Sequence, residues 1–192
     1  RPSPTRAMGS TGSLRLDGSG HLHVPHHPRL NPAAAISIEA WVRPAALGGC
    51  GTLVDKGLAE GGYWLAICGG GNPLQFSPAG SGSGARGAAG VAPGVWTHVA
   101  ATYDGETFRL YLNGMLDTQL PLVGDIGASA AALTIGAQSD GSQPFAGEIA
   151  ELRLWNRARS LAEIRRDLIR RLDRAAQTQL PVEPGGRLGT AG

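Results

Sequence analysis

Carboxylates are the first candidates for chemistry in this chain. Hydrolysis of a glycosidic bond needs two of them on one cleft wall, about 5–5.5 Å or about 6.5–9.5 Å apart. Glu148 and Glu151 are three residues apart, so on a strand we expect them to point to opposite faces. Glu39 stands alone among apolar neighbours. No G-x-S-x-G serine elbow occurs either. We therefore expect no catalytic residues and a protein that is not an enzyme.

Histidines form a second cluster of reactive side chains, at positions 21, 23, 26 and 27. His21 and His23 are two residues apart and would project from one face of a strand, where His26 or His27 could approach them after a turn. Imidazole nitrogens are common transition-metal ligands, so the spacing permits a metal site. A solvated surface cluster is the alternative, because no cysteine lies in this stretch. His98 is expected to be structural.

The two cysteines lie on either side of a glycine-rich segment, GLAEGG, at residues 57–62. If this segment is a hairpin loop, Lys56 faces Tyr63, and Cys50 then lies within one register step of Cys68. A disulfide between them is compatible with that geometry and would fit an extracellular protein. The alternative is two free thiols in a cytosolic protein.

Residues 82–87, GSGARG, match the G-x-G-x-x-G pattern of dinucleotide-binding proteins. That pattern works only where a strand leads into a helix whose N-terminus holds the pyrophosphate. Here it is followed by AAGVAPG, which is a poor start for a helix. We interpret the motif as part of a Gly/Ala/Ser-rich loop over residues 79–94.

Short strands must position these residues, because 30 Gly and 13 Pro are too many for long helices. The clearest segment is an antiparallel meander from Trp96 to Leu122, whose three alternating runs are joined by Asp104-Gly105 and Asn113-Gly114. Residues 13–24 predict a strand, a turn at Asp17-Gly18 and a second strand. About ten to twelve strands in all predict a two-sheet sandwich or barrel.

One helix is predicted near the C-terminus. Ser160 and Glu163 make a capping box, and an apolar stripe follows at Leu161, Ile164, Leu168 and Leu172. Residues 153–174 carry eight arginines against three acidic residues. One interpretation is a solvated face with intrahelical ion pairs. The other is that the stripe docks a neighbouring module, an acidic partner or another copy, with Arg165 at the rim.

Composition bounds the remaining possibilities. Hydrophobic residues make up 42% of the chain, enough for a core in one domain. A net charge of +2 argues against a nucleic-acid partner. No apolar run approaches the ~18 residues of a membrane span. Residues 1–12 are interpreted as a linker or an appended tail, and residues 177–192 as an exit linker.

Five segments together carry a family resemblance. They are ISIEAWVRP at 36–44, GYWLAI at 62–67, VWTHVAATYDGETFRLYLNG at 95–114, LTIGA at 133–137 and GEIAELRLWNRARSLAEI at 147–164. In order and spacing they resemble the laminin-G-like, concanavalin-A-like jelly roll of bacterial surface and secreted proteins, over about residues 14–170. The resemblance implies an all-β fold of two antiparallel sheets. Members act mostly as adhesive or carbohydrate-binding modules, while related jelly rolls include glycoside hydrolases.

The resemblance also implies that calcium is a possible cofactor. Many relatives carry an acidic residue where this chain has Ala150, beside Glu151. The loss of a carboxylate there weakens an inherited site, because calcium needs several oxygen ligands. Asp17 is the matching acidic residue that is still present.

Ligand-binding residues are expected where aromatic rings and fixed polar groups face outward, since sugars stack on rings. Trp64, Arg109 and Tyr111 alternate with apolar neighbours and are the outward candidates on strands. Asp140 and Gln143 are the polar candidates in the loop SDGSQP. Ordinary cross-strand packing is the alternative for the strand residues.

The sequence thus predicts a jelly roll over residues 13–160 with an amphipathic helix at 161–176. We expect a non-catalytic recognition or adhesion module of an extracellular or cell-surface protein, whose partners are carbohydrates or proteins. The first alternative is a structural module that assembles with other proteins and binds no glycan. A polysaccharide-active enzyme is the second.

Overall fold

The computed structural model describes residues 12–78 and 84–178, and these residues form twelve strands, one α-helix and two short 3-10 helices, Pro28–Leu30 and Leu58–Glu60. No helix in these ranges combines the length and hydropathy needed to cross a bilayer. The elements are β1 (Ser13–Asp17), β2 (Leu22–Val24), β3 (Ile36–Pro44), β4 (Cys50–Asp55), β5 (Tyr63–Cys68), β6 (Pro73–Pro78), β7 (Ala85–Gly90), β8 (Thr97–Tyr103), β9 (Thr107–Leu112), β10 (Met115–Pro121), β11 (Leu133–Ile135), β12 (Ala146–Trp155) and α1 (Leu161–Thr178).

The strands form two six-stranded antiparallel sheets, which confirms the predicted sandwich. The first sheet has the order β1-β12-β3-β8-β9-β10, and the second has the order β2-β11-β4-β5-β6-β7. Alternate residues of each strand face the space between the sheets, as the period of two requires. On β3, for example, Ile36, Ile38 and Val42 are fully buried in the common core. The core therefore lies between the sheets, and each sheet keeps a separate outer face.

The meander of β8, β9 and β10 forms where its turns predict it. Asn113 and Gly114 have positive φ angles of 49° and 70°, the conformation of a two-residue hairpin turn. At the other turn, Asp104 Oδ1 accepts hydrogen bonds from the backbone amides of Glu106 and Thr107. Local sequence therefore determines the register of this part of the first sheet.

The strand, turn and second strand predicted in residues 13–24 are present, but the two strands do not pair with each other. β1 pairs with β12 in the first sheet, whereas β2 pairs with β11 in the second. Asp17 Oδ1 accepts hydrogen bonds from the amide and hydroxyl of Ser19, so the turn itself forms. The chain then crosses from the first sheet to the second, because β1 and β2 each pair with a strand that is distant in the sequence.

The predicted loop at residues 79–94 contains a strand instead. β7 pairs with β6, and Ala85 faces the core although the strand has little apolar side-chain area. The amides of Ala88 and Ala89 each donate to the Asp117 carboxylate of β10 at 2.9 Å. Small residues suit this position, since a Cβ on Gly87 would lie 2.6 Å from Asp117 Oδ2. Thus β7 joins one edge of the second sheet to the first.

The disulfide predicted from the hairpin register is present. Lys56 N donates to Tyr63 O, so the loop closes as expected, and a register shift between Thr52 and Val54 brings Cys50 directly opposite Cys68. Their Cα atoms are 4.0 Å apart and the sulfurs are bonded. The bond links the far ends of β4 and β5.

Helix α1 packs on the outer face of the first sheet. Its capping box forms as predicted, with Ser160 N donating to Glu163 Oε2 and Glu163 N donating to Ser160 Oγ. Hydrogen bonds from Arg157, and then from the Ser160 amide, lower the pKa of Glu163 to about 2. In the first turn of the helix, Ile164 is fully buried against Ala100 of β8 and Tyr111 of β9.

A buried ionic cluster fixes this helix to the sheet. Arg159, 5% exposed, donates to Glu39 Oε1 at 2.6 Å and to Asp167 Oδ2 at 2.7 Å. The guanidinium carbon also lies 4.1 Å from the ring centre of Trp155. His98 Nε2 lies 3.6 Å from the second oxygen of Glu39. Glu39 has apolar neighbours in the sequence, as noted above, but its partners come from distant positions: His98 is 59 residues away and Arg159 is 120 residues away.

We expect reduction of the disulfide to lower the free energy of unfolding by about 3 kcal/mol, because the bond closes a loop with a sequence separation of 18 residues. Urea unfolding with and without reductant measures this change. The Cys50→Ser/Cys68→Ser variant is the control, since it should be insensitive to reductant. Identical curves for the oxidised and reduced wild type would contradict the prediction.

We expect Arg159→Met to cost about 3–5 kcal/mol of unfolding free energy, because Glu39 would remain buried without its partner. The double variant Glu39→Gln/Arg159→Met should cost clearly less than the sum of the two single changes. Arg166→Met, at an exposed position of the same helix, is the matched control. Chemical denaturation of the wild type, Glu39→Gln, Arg159→Met, the double variant and the control tests the coupling, and simple additivity would contradict it.

Candidate functional site

The outer face of the second sheet carries a cleft of about 170 Å³. Because Tyr63 and Leu65 of β5 face the core, Trp64 between them faces outward. Trp64 is opposite Ser77 of β6, and Gln75 of β6 is opposite Arg86 of β7. These side chains line the cleft together with Leu58 and Gly84 at its margins. Three adjacent strands thus contribute one ring and two polar groups to a single depression.

Trp64 is held in place at one edge of its ring. Its Nε1 donates to Thr52 Oγ1 of β4 at 3.1 Å, and its side chain is half-buried. A ring fixed in this way and still accessible is suited to stack on an apolar sugar face. The structure therefore places the ring of Trp64 on the outer face, while its role as a ligand residue stays a prediction.

Gln75 and Arg86 are ligand candidates that the sequence analysis missed. Gln75 is half-buried, and exposed Arg86 makes a long contact of 3.5 Å with the carbonyl of Gly70. Gln75 offers amide donors and an acceptor, and Arg86 offers several donors. For Gln75 the sequence did contain a signal: the alternation in PLQFSP, residues 73–78, predicts that Gln75 faces outward between Leu74 and Phe76. Arg86 had no such signal, because it lies in a stretch whose composition is typical of a loop.

The loop after β11 lies beside this face. Thr52 N donates to Gln143 O at 3.0 Å, so the loop extends the sheet next to the residue that holds Trp64. The Gln143 side chain accepts from Gln138 Nε2 at 3.1 Å. Asp140 is exposed at the loop tip, and hydrogen bonds from Ser142 lower its pKa. Gln143 thus belongs to the neighbourhood of Trp64, while Asp140 shapes the turn.

Arg109 and Tyr111 do not belong to this site. Both lie on β9 of the first sheet, and Tyr111 is only 4% exposed because α1 covers it. Arg109 Nη1 donates to Asp104 Oδ2 at 2.6 Å. Burial alone would raise the pKa of Asp104, but hydrogen bonds from Arg109 and the turn amides lower it. The prediction of Tyr111 as an outward ligand residue is wrong, since alternation cannot reveal a helix that packs on the outer face.

The predicted docking stripe of α1 is used within the chain. Ile164 is buried on the first sheet, Leu161 packs beside it, and Leu168 is half-buried near Gly114. Arg165 Nε donates to Gly114 O at 2.8 Å. The prediction that Ile164 docks another molecule is therefore wrong, because its own sheet buries it, whereas Arg165 stays exposed at the rim with one bond to the sheet. The side chain of Leu172 lies outside the described residues.

The acidic residues of β12 are engaged by arginines. Glu148 is bonded to Arg43, and hydrogen bonds from that guanidinium lower its pKa. Glu151 is bonded to Arg153. A bulge between Ala150 and Arg153 resets the strand alternation, so the expectation of opposite faces for the two glutamates is wrong. Neither residue lines the cleft on the second sheet.

The environment of Asp17 does not fit a calcium ion. Its carboxylate is exposed, and hydrogen bonds from the Ser19 amide and hydroxyl lower its pKa. Calcium takes six to eight oxygen ligands, several of them from carboxylates. Within residues 12–78 and 84–178 no three His, Cys, Asp or Glu side chains gather at one point. The described surroundings of Asp17 therefore offer too few carboxylate ligands to hold a calcium ion.

The histidine cluster is divided in the structure. His21 and His23 contact each other, with their Nε2 atoms 2.9 Å apart. His26 Nδ1 instead lies 3.3 Å from Lys56 Nζ, and His27 Nδ1 accepts from the backbone amide of Arg29. His98 is buried beside Glu39, as its structural interpretation predicts.

A larger and more open hollow of about 770 Å³ lies at one end of the sandwich. It is lined by residues 28, 29 and 31–35 together with Leu154, Trp155 and Asn156. Its aromatic ring, Trp155, is already stacked by Arg159. The smaller cleft is therefore the better candidate, because the half-buried ring of Trp64 lines it beside Gln75 and Arg86.

Comparison with known proteins shows which families and structures this chain resembles. A family model described as the concanavalin A-like lectin/glucanases superfamily matches residues 16–165. Pappalysin-1 of Mus musculus is 37% identical over 81 residues, which are 40% of this chain and 5% of that protein. A candidate carbohydrate binding protein from Bacteroides ovatus is 23% identical with a TM-score of 0.65, over 77% of this chain and 44% of that one. This chain thus spans less than half the length of either protein.

Two further structures match across both sheets. Domain 4 of AbnA, a GH43 extracellular arabinanase from Geobacillus stearothermophilus, was solved with arabinotriose; it is 23% identical with a TM-score of 0.71, over 88% of this chain and 82% of that one. The IT-sialidase CBM40 of Ruminococcus gnavus, bound to α2,3 sialyllactose, is 16% identical with a TM-score of 0.62, over 81% and 96%. Because the family model covers both sheets and the start of α1, this chain belongs to the concanavalin A-like lectin/glucanases superfamily.

Proposed function

We propose that this chain is a non-catalytic carbohydrate-binding module that holds a glycan on the outer face of its second sheet. The observation that carries the proposal is the cleft formed by Trp64, Gln75 and Arg86. The similar domains solved with arabinotriose and with α2,3 sialyllactose support the same class of ligand.

Each group in the cleft has a distinct role in the proposed binding. The indole of Trp64 stacks on the apolar face of a sugar ring. The amide of Gln75 both donates to and accepts from neighbouring hydroxyls, and the Arg86 guanidinium donates to oxygens at the other side. A few polar groups around one ring fix orientation, which is the usual design of a small-ligand site. The small volume suits a chain end or a single sugar residue.

Binding without hydrolysis is supported by the position of the carboxylates. Among the described residues no acidic side chain lines the cleft, whereas a glycosidase needs two beside the scissile bond. Glu148 and Glu151 lie on the first sheet and are ion-paired with Arg43 and Arg153. A general acid needs a raised pKa, but the pKa of Glu148 is lowered.

An extracellular or cell-surface location goes with this function. The Cys50–Cys68 disulfide is of a kind that forms and persists in oxidising compartments and is rare in the cytosol. Glycans of other cells, matrices or plant material are encountered there. We therefore place the module outside the cytoplasm.

Protein contact is the second candidate function. β10 is an edge strand of the first sheet, and its exposed side chains include Met115 at 64%, Leu116 at 49% and Leu120 at 42%. Exposed apolar side chains on an edge strand favour contact with another protein. Such a module would assemble through β10 and bind no glycan.

We expect a glycan array to give signal for the wild-type chain and Trp64→Ala to weaken binding of the best glycan roughly tenfold or more, because the stacking ring is removed. Isothermal titration calorimetry measures the loss. Trp96→Ala is the matched control: Trp96 is half-buried beside Arg43 on the first sheet, so its removal should leave affinity unchanged.

The same array distinguishes the alternatives. It is run with calcium and with a chelator, and we expect equal signals because the surroundings of Asp17 do not fit the ion. An array silent in both conditions, together with self-association that Leu116→Ser abolishes, would replace the glycan proposal with protein contact. Equal affinity of Trp64→Ala and wild type would exclude the cleft as the site.

A further inference from the structure

Two imidazole rings meet at the edge of the second sheet. The Nε2 atoms of His21 and His23 are 2.9 Å apart, and the rings are edge-to-face with centroids 4.6 Å apart. His23 is exposed and His21 is half-buried beside Gly141, whose added Cβ would lie 3.8 Å from the imidazole. Both nitrogens therefore converge on one point that solvent can reach.

A buried hydroxyl orients one ring of the pair. Thr134 of β11 is fully buried, and its Oγ1 lies 3.2 Å from His23 Nδ1. When His23 Nδ1 carries the hydrogen and donates to this hydroxyl, its Nε2 is left with a free lone pair. Histidines that bind metals commonly have their other nitrogen hydrogen-bonded in this way, which fixes the tautomer and the ring orientation. Thr134 and His23 are direct cross-strand partners, so the sheet register fixes the contact.

We propose that His21 and His23 form a surface site for a divalent transition-metal ion of the copper(II) or nickel(II) type. The glycan cleft plays no part in this proposal. In the metal-free chain one ring donates its Nε2 hydrogen to the other. Metal binding requires His21 to change tautomer: its Nε2 gives a proton to water and its Nδ1 takes one up, so the ring stays neutral and both Nε2 lone pairs then point to the ion.

The ligand type indicates the kind of metal. Imidazole nitrogens suit zinc, copper and nickel, and the affinity order of divalent ions places copper(II) above zinc. In the metal-free chain the two Nε2 atoms are at hydrogen-bond distance, 2.9 Å, so both rings are already close enough to share one ion.

The remaining coordination positions are open to water or to an incoming ligand. No third His, Cys, Asp or Glu joins the pair within the described part of the chain. On the outer face, His23, Thr134, Asp55 and Trp64 follow one another across four neighbouring strands. Strands lie about 4.8 Å apart, so the proposed ion would lie on the order of 14 Å from Trp64. Asp55 lies between Thr134 and Trp64 in the cross-strand order. Because Ser139 N donates to Asp55 Oδ2, the loop of residues 138–143 lies between the two sites.

The test is titration of the full chain with copper(II) and nickel(II) salts, followed by calorimetry and by electron paramagnetic resonance for copper. We expect one ion per chain with two imidazole nitrogens in the copper spectrum. His21→Ala and His23→Ala should each weaken binding at least tenfold. Thr134→Val, which keeps the shape but removes the hydroxyl, should weaken it about tenfold to a hundredfold.

His27→Ala is the matched control, because His27 is a nearby exposed histidine whose Nδ1 accepts from a backbone amide. It should bind as the wild type does, and unfolding curves should show that all variants keep the fold. Full copper binding by the His21→Ala/His23→Ala variant would overturn the proposal. Loss of binding in His27→Ala, or zinc bound more tightly than copper, would overturn the ligand set or the choice of metal.

Discussion

The ion pair between Arg159 and Glu39 is the interaction on which the arrangement of this molecule depends. Both side chains are almost completely buried, and a buried charge is tolerated only with a close partner and further hydrogen bonds. Arg159 has Glu39, Asp167 and the ring of Trp155, and its own amide donates to Ser37 Oγ. The start of α1 is therefore fixed against β3, and the helix must lie across the first sheet.

This constraint makes the two outer faces of the sandwich unequal. The first sheet is covered where α1 buries Ala100 and Tyr111, and the acidic residues of β12 are bound by arginines. Within the described ranges no helix covers the second sheet in this way, and its outer face keeps the half-buried ring of Trp64 and the exposed guanidinium of Arg86. The supporting hydrogen bond of this ring comes from Thr52 of β4, whose own amide donates to the loop that joins β11 to β12. A surface for recognition is thus left on one side by the packing of the other.

Local chemistry made much of this fold predictable. The Asn113-Gly114 turn, the Ser160/Glu163 capping box and the Cys50–Cys68 register each depend on residues close in sequence, and each forms as predicted. The failures have a common cause in distant contacts. Residues 13–24 form the predicted strand, turn and strand, but their pairing partners, β12 and β11, could not be read from the local sequence. Tyr111 alternates like an outward residue, but a helix about fifty positions later covers it. Only part of the cleft could be predicted, because alternation with apolar neighbours indicates that Trp64 faces outward, whereas Arg86 lies in a stretch whose composition is typical of a loop.

The bulge at Asp117 has a consequence for how such modules associate. The extra residue turns its carboxylate toward β7, where it accepts from two amides of the other sheet's edge. The amides of Ala88 and Ala89 are therefore occupied, so a strand donated to β7 by another molecule would have to displace the Asp117 carboxylate. β1 and β2 form the opposite flank, where the sheets meet no comparable carboxylate bridge among the described residues. Addition of a foreign strand to the second sheet is consequently opposed at β7 more than at β2.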